Sequence, residues 1–225
     1  MKTKPLLFIS VFCCFYHFGW SQETTQALAI KQEIIKAFGG KKALRSVKTF
    51  AYTLQKGVPE KPKTTEKWVL DFAQNRIEKR MTKDGQTIIQ RYENGQGWEV
   101  KSSKQSKLDT KATKRLTNNF FYNFIGMLQD DSIRWEFIKN TIYRKQKVRI
   151  VRVSNTVHRL DLFVNKQGEI VTSSTPDSTG KYSYFADEFE YKPVGQRIRF
   201  PLVFRVFEAN KCTYEGVFSN VLINQ

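Results

Sequence analysis

The feature that most constrains this chain is its apolar period. From Phe50 onward apolar residues recur at every second position, in segment after segment, almost to the C terminus. In "VKTFAYTLQ" Phe50, Tyr52 and Leu54 fall on one face, and in "EKWVLDFA" Trp68, Leu70 and Phe72 do the same. Ala73-Gln74-Asn75 makes a turn, "RIEKRMT" returns with Ile77 and Met81, and "KDGQ" turns the chain again into "TIIQRYE". Alternation broken by short polar turns specifies half-buried strands in an antiparallel meander with one wet face. In "RYENGQGWEV", Glu93 to Gly97 reads as a hairpin turn whose glycines supply the backbone freedom such a turn needs. Trp98 then sits on the following strand, either lining the space behind the sheet or anchoring its rim.

The same pattern resumes at Ile133. Trp135 and Phe137 alternate with Arg134 and Glu136, and "KVRIVRV", "VHRLDLFVN", "EIVTSST", "KYSYFADEFEY", "RIRFPLVFRVF" and "YEGVFSNVLI" follow, bounded by Asn165, Gly168, Gly180 and Gly195. Two stretches break it with a helical period. Ala27, Ile30, Ile34 and Phe38 form one stripe over about 25–38, ended by Gly39-Gly40. Over about 109–129, Leu116, Phe120, Phe124 and Leu128 recur every fourth residue, and Phe121, Ile125 and Met127 broaden the stripe. This second helix must be covered by something large. About ten strands and two helices, with no linker or repeat, make an α+β chain. A sheet of that size curls because strands twist, so the expected architecture is a strongly curved antiparallel sheet with helices over its concave face.

The first residues have a different character. Lys2 and Lys4 precede an apolar run from Pro5 to Phe18, and Gly19 and Ser21 are small residues placed for cleavage before Gln22. That is the layout of a secretory signal peptide over 1–21, too short to span a membrane. Cys13 and Cys14 follow Phe12 and Cys13, not the small residue that a lipid-anchor signal needs, so a soluble exported chain is expected, with 22–225 as one domain. Removing Lys2 and Lys4 with that segment leaves 36 basic against 21 acidic side chains, a net charge of +15. The lysines and arginines are spread along strands and turns, which reads first as a solvated basic face and second as attraction to an anionic membrane surface or acidic polysaccharide. Export and the lack of a recognition motif argue against nucleic acid. Beyond residue 21 only Cys212 remains, so no disulfide forms within that domain and the thiol reads as a small hydrophobe.

Candidate catalytic groups are sparse. His158 is the one histidine beyond residue 21, and a lone strand histidine reads as packed or surface-lying. No serine stands in a G-x-S-x-G context, "FGGKKAL" lacks P-loop spacing, and histidine and cysteine are too few for a structural zinc site. Asp130-Asp131 reads as a solvated connection, and Asp187, Glu188 and Glu190 as acids on or near the wet face. No catalytic residue, metal or cofactor is expected. Aromatic content is the unusual feature: a curved sheet around an apolar helix need not fill its concavity, and a space lined by such side chains suits a lipophilic ligand. The candidates are Phe50, Tyr52, Trp68, Leu70, Phe72, Trp98, Phe120, Phe124, Leu128, Trp135, Phe137, Phe200 and Phe204.

The order of motifs resembles the LolA-like family of periplasmic proteins. "AFGGKKALRSVKTFAYTLQ" is similar to its opening helix, Gly-Gly stop and first strand; "YENGQGWEV" to its turn and tryptophan strand; "LDLFVNKQGEIVTS" to a strand–turn–strand; "EYKPVGQRIRFPLVFRV" to its late Phe-Pro segment; "FSNVLIN" to its closing strand. The resemblance implies a half-barrel lidded by helices around a hydrophobic cavity that holds lipid or lipoprotein acyl chains; a monomer is expected. It departs at "NRIEKR", where Glu78 and Lys79 stand in place of the arginine and tryptophan of the carriers. A relative binding another lipophilic ligand is as consistent with that as a lipoprotein carrier. Two other readings stay open: a sensor module gripping an envelope protein with its concave face, and a secreted hydrolase.

Overall fold

A computed structural model describes residues 25–224 apart from Ser183, Gln196 and Asn210. The export segment read at 1–21 lies outside the described residues. Helix α1 spans residues 25–37 and stops as expected: Gly39 and Gly40 take φ of 113° and 94°, and the Gly40 N–H donates to the Ile35 carbonyl at 2.8 Å. The short α2 (Lys41–Ser46) follows, and then an unbroken meander: β1 (Thr49–Gly57), β2 (Thr64–Asp71), β3 (Arg76–Lys83), β4 (Gln86–Glu93), β5 (Gln96–Lys101) and β6 (Lys104–Lys107). Two-residue turns with positive φ at Asp84-Gly85 and Asn94-Gly95 suit the twist of the strands that they join.

The single helix expected over 109–129 is in fact two, α3 (Thr110–Tyr122) and α4 (Phe124–Gln129). Asn123 divides them. Its backbone is extended (φ −79°, ψ 118°), and its Oδ1 accepts the N–H groups of Ile125 at 3.0 Å and Gly126 at 3.4 Å, which caps α4. A capping asparagine inside an apolar stripe thus wins over the continuous 3.6-residue period.

The helices carry the chain from one sheet edge to the other. β7 (Arg134–Tyr143) begins a second meander, β8 (Gln146–Ser154), β9 (Arg159–Val164), β10 (Ile170–Ser174) and β11 (Tyr184–Asp187). The hairpin β12 (Tyr191–Val194) and β13 (Ile198–Pro201) leaves the sheet, and β14 (Val203–Glu208) and β15 (Lys211–Ile223) return to it. Thirteen strands form one open antiparallel sheet in the order β6-β5-β4-β3-β2-β1-β15-β14-β11-β10-β9-β8-β7, and β12 pairs with β13 alone. The chain is therefore α+β. Among the described residues there are fifteen strands where about ten were expected: "KYSYFADEFEY" and "RIRFPLVFRVF" each divide, and the polar β6 shows no apolar alternation to mark it. Glu188, at φ 55°, turns the first out of the sheet, and the Leu202 N–H is taken by the Glu190 carbonyl at 2.9 Å in the second.

The main core lies on the sheet face that meets the helices. It unites Ile30, Ile34 and Phe38 of α1, Phe50 and Leu70 of β1 and β2, Ile125 and Met127 of α4, and Val151, Leu162 and Ile170 of the second meander. The opposite face is not uniformly wet, as the alternation suggested. Val148, Ile150 and Phe163 are buried there with Tyr143, Tyr182 and Phe185 around them. Asp187, read as an acid near the wet face, is 4 % exposed in this second layer; it accepts from the Tyr143 hydroxyl at 2.7 Å and pairs with Arg144 at 3.0 Å. Asp161, fully buried, is held likewise by a two-point Arg152 pair at 2.8 and 2.9 Å and by the Tyr182 hydroxyl at 2.7 Å. Buried carboxylates persist only where such partners replace water.

Candidate functional site

Register decides which aromatic side chains can converge. β1 places Phe50, Tyr52 and Leu54 on its buried face, and pairing with β2 sets Tyr52 beside Trp68, their rings near-parallel at 6.3 Å. On the other flank of β1 the ring of Tyr52 meets Phe218 of β15 at 5.1 Å, and Phe218 meets Phe204 of β14 at 5.7 Å. The β12–β13 hairpin brings Phe200 over the same surface, 4.9 Å from Phe50 and 5.4 Å from Phe218. Facing this set, Phe124 at the start of α4 packs edge-on against Phe38 of α1 at 5.8 Å and Phe189 at 5.6 Å.

Between the two groups of rings lies a cavity of about 280 Å³. Tyr52, Leu54, Phe200, Pro201, Phe204 and Phe218 form its sheet side, Phe124, Asn123 and Tyr122 its helix side, and Leu160, Ala186 and Phe189 its far wall. Among the described residues no charged side chain lines it. The Asn123 break is what aims Phe124 into this wall, since it restarts the helix at that residue.

One edge of the aromatic wall is held by charge. Glu66 of β2 is 5 % exposed, and its carboxylate receives the Lys56 and Lys79 ammonium groups at 2.8 Å each and the Trp68 indole N–H at 3.0 Å. Burial alone would raise the Glu66 pKa, but the lysine hydrogen bonds outweigh it and hold the carboxyl below its ordinary value. Lys79 also lies 5.2 Å from the Trp68 ring centroid. Burial, with the Glu66 charge behind it, pushes the Tyr52 hydroxyl far above its ordinary pKa, so that side chain stays neutral at any physiological pH.

The thirteen candidate residues separate clearly. Tyr52, Phe124, Phe200 and Phe204 line the cavity. Phe50, Trp68, Leu70 and Leu128 are buried in the same core. Trp135, also buried, has Lys31 of α1 over its ring at 5.3 Å, and Phe137 is half-buried against the core. Phe72 and Phe120 face each other at 6.1 Å in the wall of a different, larger cavity. Trp98 does not join the others. At Gly97 a β-carbon would come within 2.4 Å of Thr113 Oγ1 of α3, so that residue faces the helix, and alternation turns Trp98 to the opposite face between Arg91 and Lys107.

Leu54, Phe189 and Phe218 line the cavity and are absent from the sequence-based set. Phe218 was within reach, since it alternates with Gly216 and Tyr214; Phe189 follows the chain reversal at Glu188, and nothing local aims it. Among the described residues no group of three or more His, Cys, Asp or Glu could hold a metal ion. Glu78 is not among the residues lining the cavity and binds Arg80 at 2.5 Å and Arg91 at 2.8 Å.

No protein-family model matches the chain, and no curated protein matches its sequence. Solved structures do match. The crystal structure of a LolA superfamily protein from Nitrosomonas europaea aligns with a TM-score of 0.56 at 11 % identity, over 88 % of this chain and 94 % of that one. A domain from Vibrio parahaemolyticus named for outer membrane lipoprotein sorting aligns with a TM-score of 0.56 at 11 % identity, over 90 % and 94 %. The chain has a LolA-like fold.

Proposed function

We propose that this is an exported protein of the cell envelope that binds the acyl chain of a lipid or lipoprotein between its helices and a sheet curled as a half-barrel. The observation that carries the reading is the cavity of about 280 Å³ walled by Tyr52, Phe124, Phe200, Phe204 and Phe218. Its volume lies just below the range for small-molecule sites, roughly 300–1,000 Å³. Each methylene moved into it from water contributes about 0.8 kcal/mol, so a modest length of chain suffices for binding without a charged or catalytic group. The likeness of the fold to a domain named for lipoprotein sorting supports the same ligand class. Signal-peptide features over 1–21, with residues 22–225 as one domain, support delivery to the periplasm. The one histidine beyond residue 21 and the scattered acids support a binding protein over an enzyme.

The test is direct. Organic extraction of protein purified after export, followed by mass spectrometry, yields a bound lipid, and the emptied protein takes up a fluorescent fatty acid. Protein that carries no lipid and leaves the probe in solution defeats the proposal.

A further inference from the structure

The larger cavity, about 940 Å³, differs in character from the first. It lies across α3 and α4, between the β2–β3 and β4–β5 turns on one side and the β8–β9 turn on the other. Phe72, Phe120 and Phe121 give it an apolar floor, and Gln96, Asn118 and Asn155 set amide groups around that floor. Asn118 Oδ1 is buried and accepts no hydrogen bond among the described residues. An unmet acceptor beside aromatic rings suits a molecule that has both hydroxyl groups and C–H faces.

The charged groups at this cavity are Lys107, Lys114, Asp130 and His158. The Asp130 carboxylate already accepts the Ser132 N–H at 2.8 Å and hydroxyl at 2.6 Å through one oxygen. Lys107 pairs in register with Trp98, at the cavity edge. Lys114 and His158 have no acidic partner among the described residues. His158 is packed against the rings of Phe121 at 5.1 Å and Tyr122 at 5.3 Å, and burial together with the Lys114 charge holds its pKa below the ordinary value. Lys107, Lys114 and His158 outnumber the one carboxylate, Asp130, around this cavity, so an anion bound there meets two ammonium groups and an imidazole whose protonated form its charge favours.

We propose that this cavity binds a phosphorylated sugar or polyol. The ring floor meets the C–H face, the amides of Asn118 and Asn155 meet the hydroxyls, and Lys114 and His158 meet the phosphate. The site is separate from the apolar cavity and holds whether or not that cavity takes an acyl chain. Its ligand is either a soluble sugar phosphate or the headgroup of a lipid whose chain lies elsewhere on the protein.

Three probes are titrated into protein produced from the full-length chain, by calorimetry and by NMR of the His158 imidazole, assigned with H158Q: glucose 1-phosphate, dioctanoyl phosphatidylinositol and octyl glucoside. Both phosphorylated probes bind and raise the His158 pKa. Lys114→Gln weakens them at least tenfold, while Lys211→Gln, the same charge loss at an exposed site on β15, does not. Phosphatidylinositol binding tenfold or more tighter than glucose 1-phosphate assigns a lipid headgroup; equal affinity assigns a soluble ligand. Failure of both phosphorylated probes, or unchanged affinity in Lys114→Gln, overturns the site. Octyl glucoside, which has no phosphate, loses no affinity in Lys114→Gln; a loss as large as that of the phosphorylated probes overturns the assignment of Lys114 to the phosphate.

Discussion

The ring of Phe204 lies across the backbone of Gly216 on the neighbouring strand, where a β-carbon would stand 2.3 Å from its Cε1. The missing side chain lets the ring lie flat in the cavity wall. Gly216→Ala therefore pushes Phe204 into the cavity. Overpacking of this kind costs about 1–3 kcal/mol. Urea unfolding shows that loss, and fatty-acid displacement shows weaker binding than the stability change explains. Wild-type affinity in Gly216→Ala would contradict the packing.

Glu66 joins the charged edge of the wall to its aromatic part through Lys56, Lys79 and Trp68. Its folded pKa is lowered, so its stabilising contribution is complete above the unfolded value and disappears as pH falls through the folded one. Glu66→Gln strands two lysines beside an amide and costs roughly 3 kcal/mol, near the lower figure for breaking a buried pair. Urea midpoints measured from pH 7 down to 3 converge for the two proteins at the acid end.

Asn123 ends one helix and starts the next, so Asn123→Ala removes a cap worth about 1 kcal/mol and loosens the aim of Phe124. Phe124→Asp is more severe, placing an unpaired charge in the core and abolishing ligand binding or folding. Circular dichroism and probe binding distinguish the two. Unchanged stability and binding in Phe124→Asp would mean that α4 does not cover the sheet.

His158 gives a pH dependence of opposite origin. Its folded pKa lies below 6.5, so the unfolded chain takes up its proton first as pH falls. Stability declines between about 6.5 and the folded value, then levels out with respect to this group. His158→Gln flattens that interval in a plot of unfolding free energy against pH from 5.0 to 7.5.

Much of this architecture was legible because it is local. The Gly39-Gly40 stop, the Asn94-Gly95 turn and the alternation through Phe50, Tyr52 and Leu54 each depend on a few adjacent residues. What escaped depends on distant partners. The face of Trp98 is set by how closely α3 approaches Gly97, and α3 begins thirteen residues further on. Asp187 is buried because Tyr143 and Arg144 reach it from another hairpin. The cavity itself gathers residues from β1, β9, β13, β14, β15 and the α3–α4 junction, so alternation names the rings facing inward but not those leaving a gap. The one local signal passed over is Asn123, a capping residue inside an apolar stripe.

The pairing of β1 with β15 has a consequence for assembly. Phe50 sits opposite Ile223, and the Asn224 side chain accepts the Lys48 N–H at 2.6 Å, so the first strand made waits for the last. Each meander can zip by short hairpins, but the two halves stay separate, each with an unsatisfied edge, until the final strand arrives. Ordering of the middle of the sheet is then the slow, long-range event. The aromatic wall around Tyr52 and Phe218 straddles that seam, so the wall is completed in the same step that joins β1 to β15.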